Sequence, residues 1–192
     1  KGNNEKIIPV DVNGYNFPDI ELAAKMMEEV ENVKKKRDSI GGKISCLIKN
    51  LPVGLGEPVY DKFHARLAQA CLNINAARGF EIGKGFQAAF MKGSEHNDPM
   101  IMKNGKVAFE SNHAGGVTGG ITTGQTLWFN VAFKPTASIA KEQKSITHDG
   151  QNIRFTIEGR HDACVVLRAV PVVEAIAAMV TMDFLLLRKA NT

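Results

Sequence analysis

Lys43-Ile44-Ser45-Cys46-Leu47-Ile48-Lys49 is the stretch whose reading decides the fold class. Ile44, Cys46 and Ile48 fall on one face and Lys43, Ser45 and Lys49 on the other, the period-two pattern of a half-buried strand. Upstream the period changes. Ile20, Ala23, Met27, Val30 and Val33 recur at steps of three and four, which predicts a helix from Asp19 to Lys36 with Asp19 at its N-cap. Lys34, Lys35, Lys36 and Arg37 close that helix, where cations suit its dipole. The basic run reads as a solvated helix end or as a phosphate or RNA contact. Residues 1–18, with Asn, Gly and two prolines, read as a connector.

Downstream, Leu51-Pro52-Val53-Gly54-Leu55-Gly56-Glu57-Pro58 reads as a rigid turn. A second helix is predicted from about Val59 to Ala77, with Phe63, Leu67, Ala70, Cys71 and Ile74 as its stripe and Gly79 just past its end. Phe80 to Phe90 reads as a strand interrupted by Gly83 and Gly85, and residues 92–113 as a polar loop. Thr126 to Phe133 is a strong strand pattern stopped by Lys134-Pro135-Thr136, and Ile153 to Ile157 alternates again. A last helix is predicted from near Pro171, a residue suited to a first turn, to about Lys189. It is apolar on most faces, so it is expected to be buried between layers. Strands and helices mix without a repeating strand–helix unit, and the fold class is α+β.

Of the 192 residues 44% are hydrophobic and 23% charged, a globular composition that excludes disorder and collagen-like repeats. Lys and Arg total 24 against 20 Asp and Glu, and a net charge of +4 is too small and too scattered to argue nucleic acid. Cys46, Cys71 and Cys164 are an odd number at wide spacing, which points to reduced thiols in a reducing compartment. Cys71 lies in a helix stripe and reads as a core thiol. The most apolar stretch, Ala175 to Met182, is bracketed by Glu174 and Asp183 and falls short of the roughly 20 residues a membrane span needs. No membrane association is expected. The chain opens at Lys1 with no initiator Met, signal peptide or presequence, so it reads as starting inside a longer protein.

Metal chemistry finds no support, because the five histidines never approach ligand spacing and no thiol pairs with another. Gly115, Gly116, Gly119, Gly120 and Gly124 lie within ten residues, yet no Gly-Lys-Ser/Thr ending makes them a Walker loop. Such a cluster lets backbone approach a ligand and offers N–H groups to an anion, or it is a flexible hairpin connection. Lys134-Pro135-Thr136-Ala137-Ser138 offers a point charge, a rigid turn and two hydroxyls, the composition of a phosphate cradle or of a strand-end turn. Gly159-Arg160-His161-Asp162 sets an anion clamp, an imidazole and a carboxylate in succession, or is a solvated surface turn. Together the segments suggest a site for a phosphorylated, acidic ligand.

Read in order, the chain resembles chorismate synthase. The resemblance is carried by Gly54-Leu55-Gly56-Glu57-Pro58-Val59-Tyr60-Asp61-Lys62, Gly79-Phe80-Glu81-Ile82-Gly83-Lys84-Gly85-Phe86 and Gly93-Ser94-Glu95-His96-Asn97-Asp98. It continues through Ser111-Asn112-His113-Ala114-Gly115-Gly116-Val117-Thr118-Gly119-Gly120-Ile121 and Phe133-Lys134-Pro135-Thr136-Ala137-Ser138-Ile139. Gly159-Arg160-His161-Asp162-Ala163-Cys164 and Arg168-Ala169-Val170-Pro171-Val172-Val173-Glu174-Ala175 complete blocks spanning about residues 38–188.

The resemblance implies a lyase of the last step of the shikimate pathway, and so of aromatic amino acid biosynthesis. Phosphate and a ring proton leave 5-enolpyruvylshikimate 3-phosphate in a 1,4-anti elimination that gives chorismate, with no net redox change but with reduced FMN required. It also implies a homotetramer with a β-α-β sandwich core, in which residues 1–192 are the C-terminal part of a single domain. The resemblance assigns flavin contacts to Asn75, Ala76, Gly119, Lys134, Pro135, Thr136, Ala137, Ser138 and Arg160. Asp162 matches the carboxylate the family places near flavin N5, and so is the implied catalytic residue. Ala163 stands where the family commonly has Pro. The family's N-terminal half, with its two acid histidines and most substrate arginines, has no counterpart here, and His113 and His161 match other positions. The expectation is therefore that these 192 residues alone are inactive, either half of a working enzyme or a non-catalytic, flavin-binding half-site. Whether such an enzyme reduces its own flavin with NADPH is left open, as is a plastid rather than a cytoplasmic location.

Overall fold

The computed structural model describes residues 19–191, and the connector expected over residues 1–18 lies outside them. Helix α1 (Ile20–Lys35) begins where its cap predicts, with Asp19 accepting a hydrogen bond from Leu22 N at 3.0 Å. Its closing cations are exposed, and Lys34 pairs with Glu31 at 3.2 Å one turn back. Strand β1 (Gly42–Ile48) buries Ile44 and Cys46 and exposes their neighbours, as the alternation requires.

Helix α2 (Phe63–Leu72) starts later than its apolar pattern suggests, because Asp61 turns the chain through a left-handed conformation (φ 54°) just before it. Its buried stripe is Phe63, Leu67 and Cys71. Strand β2 (Ala77–Ile82) stops at Gly83, and Gly85–Phe90 then forms a 3-10 turn where a continuing strand was expected. The polar stretch expected to be a loop holds a short helix, α3 (Gly93–His96), and a hairpin of β3 (Met100–Lys103) and β4 (Lys106–Phe109). Asn104 and Gly105 take φ of 53° and 72° at its tip, the turn that Asn-Gly favours and the signal that the polarity of the segment masks. A two-residue ladder, β5 (Val117–Thr118) with β6 (Ile121–Thr122), precedes strand β7 (Leu127–Phe133). Strands β8 (Gln143–Ile146) and β9 (Asn152–Phe155) form a second hairpin, and α4 (Val166–Ala190) ends the chain.

The described residues fall into two compact units. The first comprises the chain up to Gly42 with Phe133–Pro171, the second Lys43–Ala132 with Val172–Thr192. In the second, the sheet order is β1-β7-β2, and the middle strand is the apolar run that the sequence marks most strongly. Leu127, Phe129 and Val131 there are fully buried, and Phe129 stacks on Phe80 of β2 with ring centres 5.4 Å apart. One polar ladder crosses all three strands. Ser45 Oγ donates to Asn130 Oδ1 at 2.5 Å, and Asn130 Nδ2 donates to Glu81 Oε1 at 2.9 Å. A satisfied buried amide of this kind fixes the register, because a one-residue slip would strand it without partners. Burial pushes the thiols of Cys46 and Cys71 up to about 11 and about 12, so both are inert core residues.

Two expectations for α4 are corrected. The helix begins at Val166, not near Pro171, and Pro171 sits inside it at its sixth position. That is past the four N–H groups that have no partner at a helix start, so Pro171 leaves the Leu167 carbonyl without its intrahelical donor. Nor is the helix buried on all sides. Val173, Ala177 and Phe184 form a buried stripe, with Phe184 stacked on Phe63 of α2 at 5.0 Å. Val172, Met179, Met182, Leu186 and Leu187 are exposed. By length and composition alone α4 could cross a membrane, so the sequence estimate of its apolar length was too short. Within the second unit its contacts include the buried stripe and an exposed ion pair from Asp183 to Arg66 at 3.1 Å.

In the first unit, short polar links hold the chain before Gly42 to later segments. Ile40 N donates to Ala163 O at 2.8 Å, Ser39 Oγ donates to Thr136 O at 2.6 Å, and Lys141 pairs with Asp38 at 2.6 Å. Gly41 lies so close to the Phe133 carbonyl that any side chain there would displace the start of the Lys134 turn.

Candidate functional site

The glycine cluster divides once its surroundings are known. Gly115 and Gly83 lie backbone against backbone, and Gly116 would drive a Cβ into Leu127 Cα at 2.8 Å. Gly120 faces the Glu57 carbonyl, while Phe63 N donates to its own carbonyl at 2.8 Å. These three serve internal close packing rather than ligand approach. Gly119, at φ 62°, has nothing within 4 Å of where a Cβ would stand and faces open space. It is the cluster member whose surroundings suit a ligand. Elsewhere in the same unit, Asn75 is exposed just beyond α2, and Ala76 adopts φ 69°, a left-handed conformation unusual for alanine.

The remaining candidates belong to the first unit. The turn at Lys134-Pro135-Thr136-Ala137-Ser138 is held from behind, its Thr136 carbonyl by Ser39 and its Ala137 carbonyl by Gln143 Nε2 at 3.3 Å. Among the described residues, the Lys134 ammonium and the hydroxyls of Thr136 and Ser138 have no side-chain partner. Arg160 is exposed and likewise unpaired among the described residues. A braced backbone with free donors is the arrangement an anion needs. His161 Nε2 lies 3.1 Å from the Ile157 carbonyl and ties down the turn that carries its neighbours. Asp162 Oδ2 accepts from Arg168 Nη1 at 2.8 Å, a partner the sequence reading did not single out.

A second group that the reading passed over lies around Asp98, whose side chain is only 7% exposed. Its Oδ1 accepts from Ser111 Oγ at 2.6 Å and from His113 N at 2.7 Å, and its Oδ2 accepts from Ala114 N at 2.9 Å. Burial raises the Asp98 pKa, but these hydrogen bonds and the nearby His113 ring outweigh it and hold the carboxyl below its ordinary value. The folded pKa is depressed, so this stabilisation is fully present above the ordinary carboxylate range and is lost as pH falls through the lower folded value. Asp98→Asn is therefore expected to lower stability at neutral pH by roughly 1.5–3 kcal/mol, the worth of hydrogen bonds to a charged group. In denaturant titrations from pH 7 down to 2, the gap to the parent protein should close with acid; a gap independent of pH would contradict this account. His113, which lines a cavity of about 440 Å³ with His64, Glu81, Phe86 and His96, is tied to this loop. Burial, with Lys62 nearby, lowers the pKa of His64 in that cavity.

A family model described as chorismate synthase matches residues 4–186. The chain belongs to the chorismate synthase family. It is 48% identical over 181 residues to a chorismate synthase of Methylacidiphilum infernorum, covering 94% of this chain and 50% of that relative. It is 46% identical over 193 residues to one of Prochlorococcus marinus strain MIT 9215, covering 98% and 53%. A crystal structure of a chorismate synthase superimposes with a TM-score of 0.73 at 31% identity, over 90% of this chain and 45% of the other. The chain thus spans about half the length of the curated relatives it matches. The α+β mixture agrees with that chorismate synthase fold.

Proposed function

We propose that this chain takes part in chorismate synthesis from 5-enolpyruvylshikimate 3-phosphate, by 1,4-anti elimination of phosphate in an enzyme that requires reduced FMN. The family match across residues 4–186 carries the reading. The donor set of the first unit supports it, because the Lys134 ammonium and the hydroxyls of Thr136 and Ser138, without side-chain partners among the described residues, fit a phosphate monoester. In this reading the flavin contacts that the family resemblance implies are Asn75, Ala76, Gly119, Lys134 to Ser138 and Arg160, with the Lys134 turn and Arg160 suited to its anionic end. When bound, reduced flavin would supply transient electron density for cleavage of the C–O bond to phosphate. Asp162 would take up the flavin proton on Oδ1, which has no partner among the described residues, while Oδ2 stays on Arg168. The working form is a homotetramer.

A second reading follows from the length of the relatives. With half of their chain matched, a polypeptide of these 192 residues alone is a half-site that binds flavin without turning over. Anaerobic assay with chemically reduced FMN separates the two. No chorismate is expected from the 192 residues alone, and formation is expected from a protein that also carries the segment its relatives possess. Failure of that longer protein to form chorismate would overturn the proposed function. In flavin titrations, Lys134→Ala is expected to weaken binding by roughly 1.5–3 kcal/mol through loss of a charge-assisted hydrogen bond. Unchanged affinity would remove the turn from the flavin site.

A further inference from the structure

Arg168 breaks a local rule. It is the third residue of α4, whose first turn holds no acidic residue. A cation there faces the positive end of the helix dipole and is unfavourable by itself. The turn before the helix supplies the compensation, with Arg168 Nη1 2.8 Å from Asp162 Oδ2. Side-chain exposures of 74% and 35% make this a solvent-screened pair, which contributes little to stability. A residue that offends its own helix without stabilising the fold is a sign of a functional constraint. The rest of the turn is already fixed without it. His161 is bound to the Ile157 carbonyl, and Ala163 O accepts from Ile40 N at 2.8 Å, so only the Asp162 carboxylate needs a further hold.

We propose that Arg168 is a positioning residue for Asp162. It holds Oδ2 in a fixed direction and leaves Oδ1, which has no partner among the described residues, to take up the proton. The inference rests on the role given to Asp162 above. It is tested in the protein form that turns over 5-enolpyruvylshikimate 3-phosphate, with Arg168→Ala, Arg168→Lys, Asp162→Asn and the double variant. Arg168→Ala is expected to lower kcat about tenfold to a hundredfold, the scale of a misplaced catalytic group. KM, the Kd of reduced FMN measured without substrate, and Tm should stay near the parent values. Arg168→Lys should recover much of kcat, because an ammonium can still hold the carboxylate. Added guanidinium should rescue Arg168→Ala but not Asp162→Asn, and the double variant should be no slower than Asp162→Asn.

Unchanged kcat in Arg168→Ala, with Asp162→Asn slow, would overturn this inference and leave the role of Asp162 standing. Unchanged kcat in Asp162→Asn would remove both. A large rise in the flavin Kd for Arg168→Ala would also overturn it, since the arginine would then bind flavin directly. A large fall in Tm would make the pair a structural one.

Discussion

Replacement of Asp162 by Asn is expected to slow turnover by roughly 10²–10⁴-fold, the usual contribution of a positioned general acid or base. The amide keeps the volume of the side chain and an oxygen for Arg168, so the turn should stay in place. What is lost is the ability to take up a proton at Oδ1. Reduced-FMN binding should be retained, because the groups assigned to the anionic end of the flavin, the Lys134 turn and Arg160, are left unchanged. The measurement is single-turnover chorismate formation beside a flavin titration of the same variant. Turnover at the parent rate would take Asp162 out of the mechanism. Joint loss of turnover and flavin binding would make it a binding residue instead.

The largest expected effect on stability is that of Phe63→Ala, roughly 3–5 kcal/mol for a fully buried aromatic whose site collapses only in part. Phe63 is 0% exposed, stacks on Phe184 at 5.0 Å and opens α2. Its own N–H donates to the Gly120 carbonyl at 2.8 Å, and a Cβ at Gly56 would stand 2.9 Å from it. The cavity would therefore loosen the junction of α2, α4 and the glycine segment together. Phe63→Leu keeps most of the volume and should cost about 1.5 kcal/mol or less. Denaturant unfolding of both variants checks the ordering. A loss for Phe63→Ala no larger than that for Phe63→Leu would mean that the ring is not the anchor described here.

How far the site could be read ahead of the fold differs from residue to residue. Lys134 to Ser138 stood out because a lysine, a proline and two hydroxyls compose either a phosphate cradle or a strand-end turn, and the fold adds that the backbone of this turn is braced from behind. Asn75 and Ala76 carry no such mark. Their candidacy came from resemblance, and the left-handed backbone of Ala76 was visible only after folding. Asp98 was missed because its partners Ser111, His113 and Ala114 lie 13 to 16 residues on, and Arg168 because no helix or strand period links it to Asp162 six residues earlier.

The sequence by itself determined the local order: a capped α1, an alternating β1, an apolar β7 and the Phe63-Leu67-Cys71 stripe of α2. These follow from nearest-neighbour propensity and from which face meets water, both written in a few consecutive residues. Only the tertiary structure decided that three cluster glycines serve internal packing while Gly119 faces open space. It also decided that Asn130 sits in a polar ladder between Ser45 and Glu81, and that Asp162 is held by Arg168. Each of these depends on atoms brought within about 3 Å by packing, a distance that sequence separation does not encode.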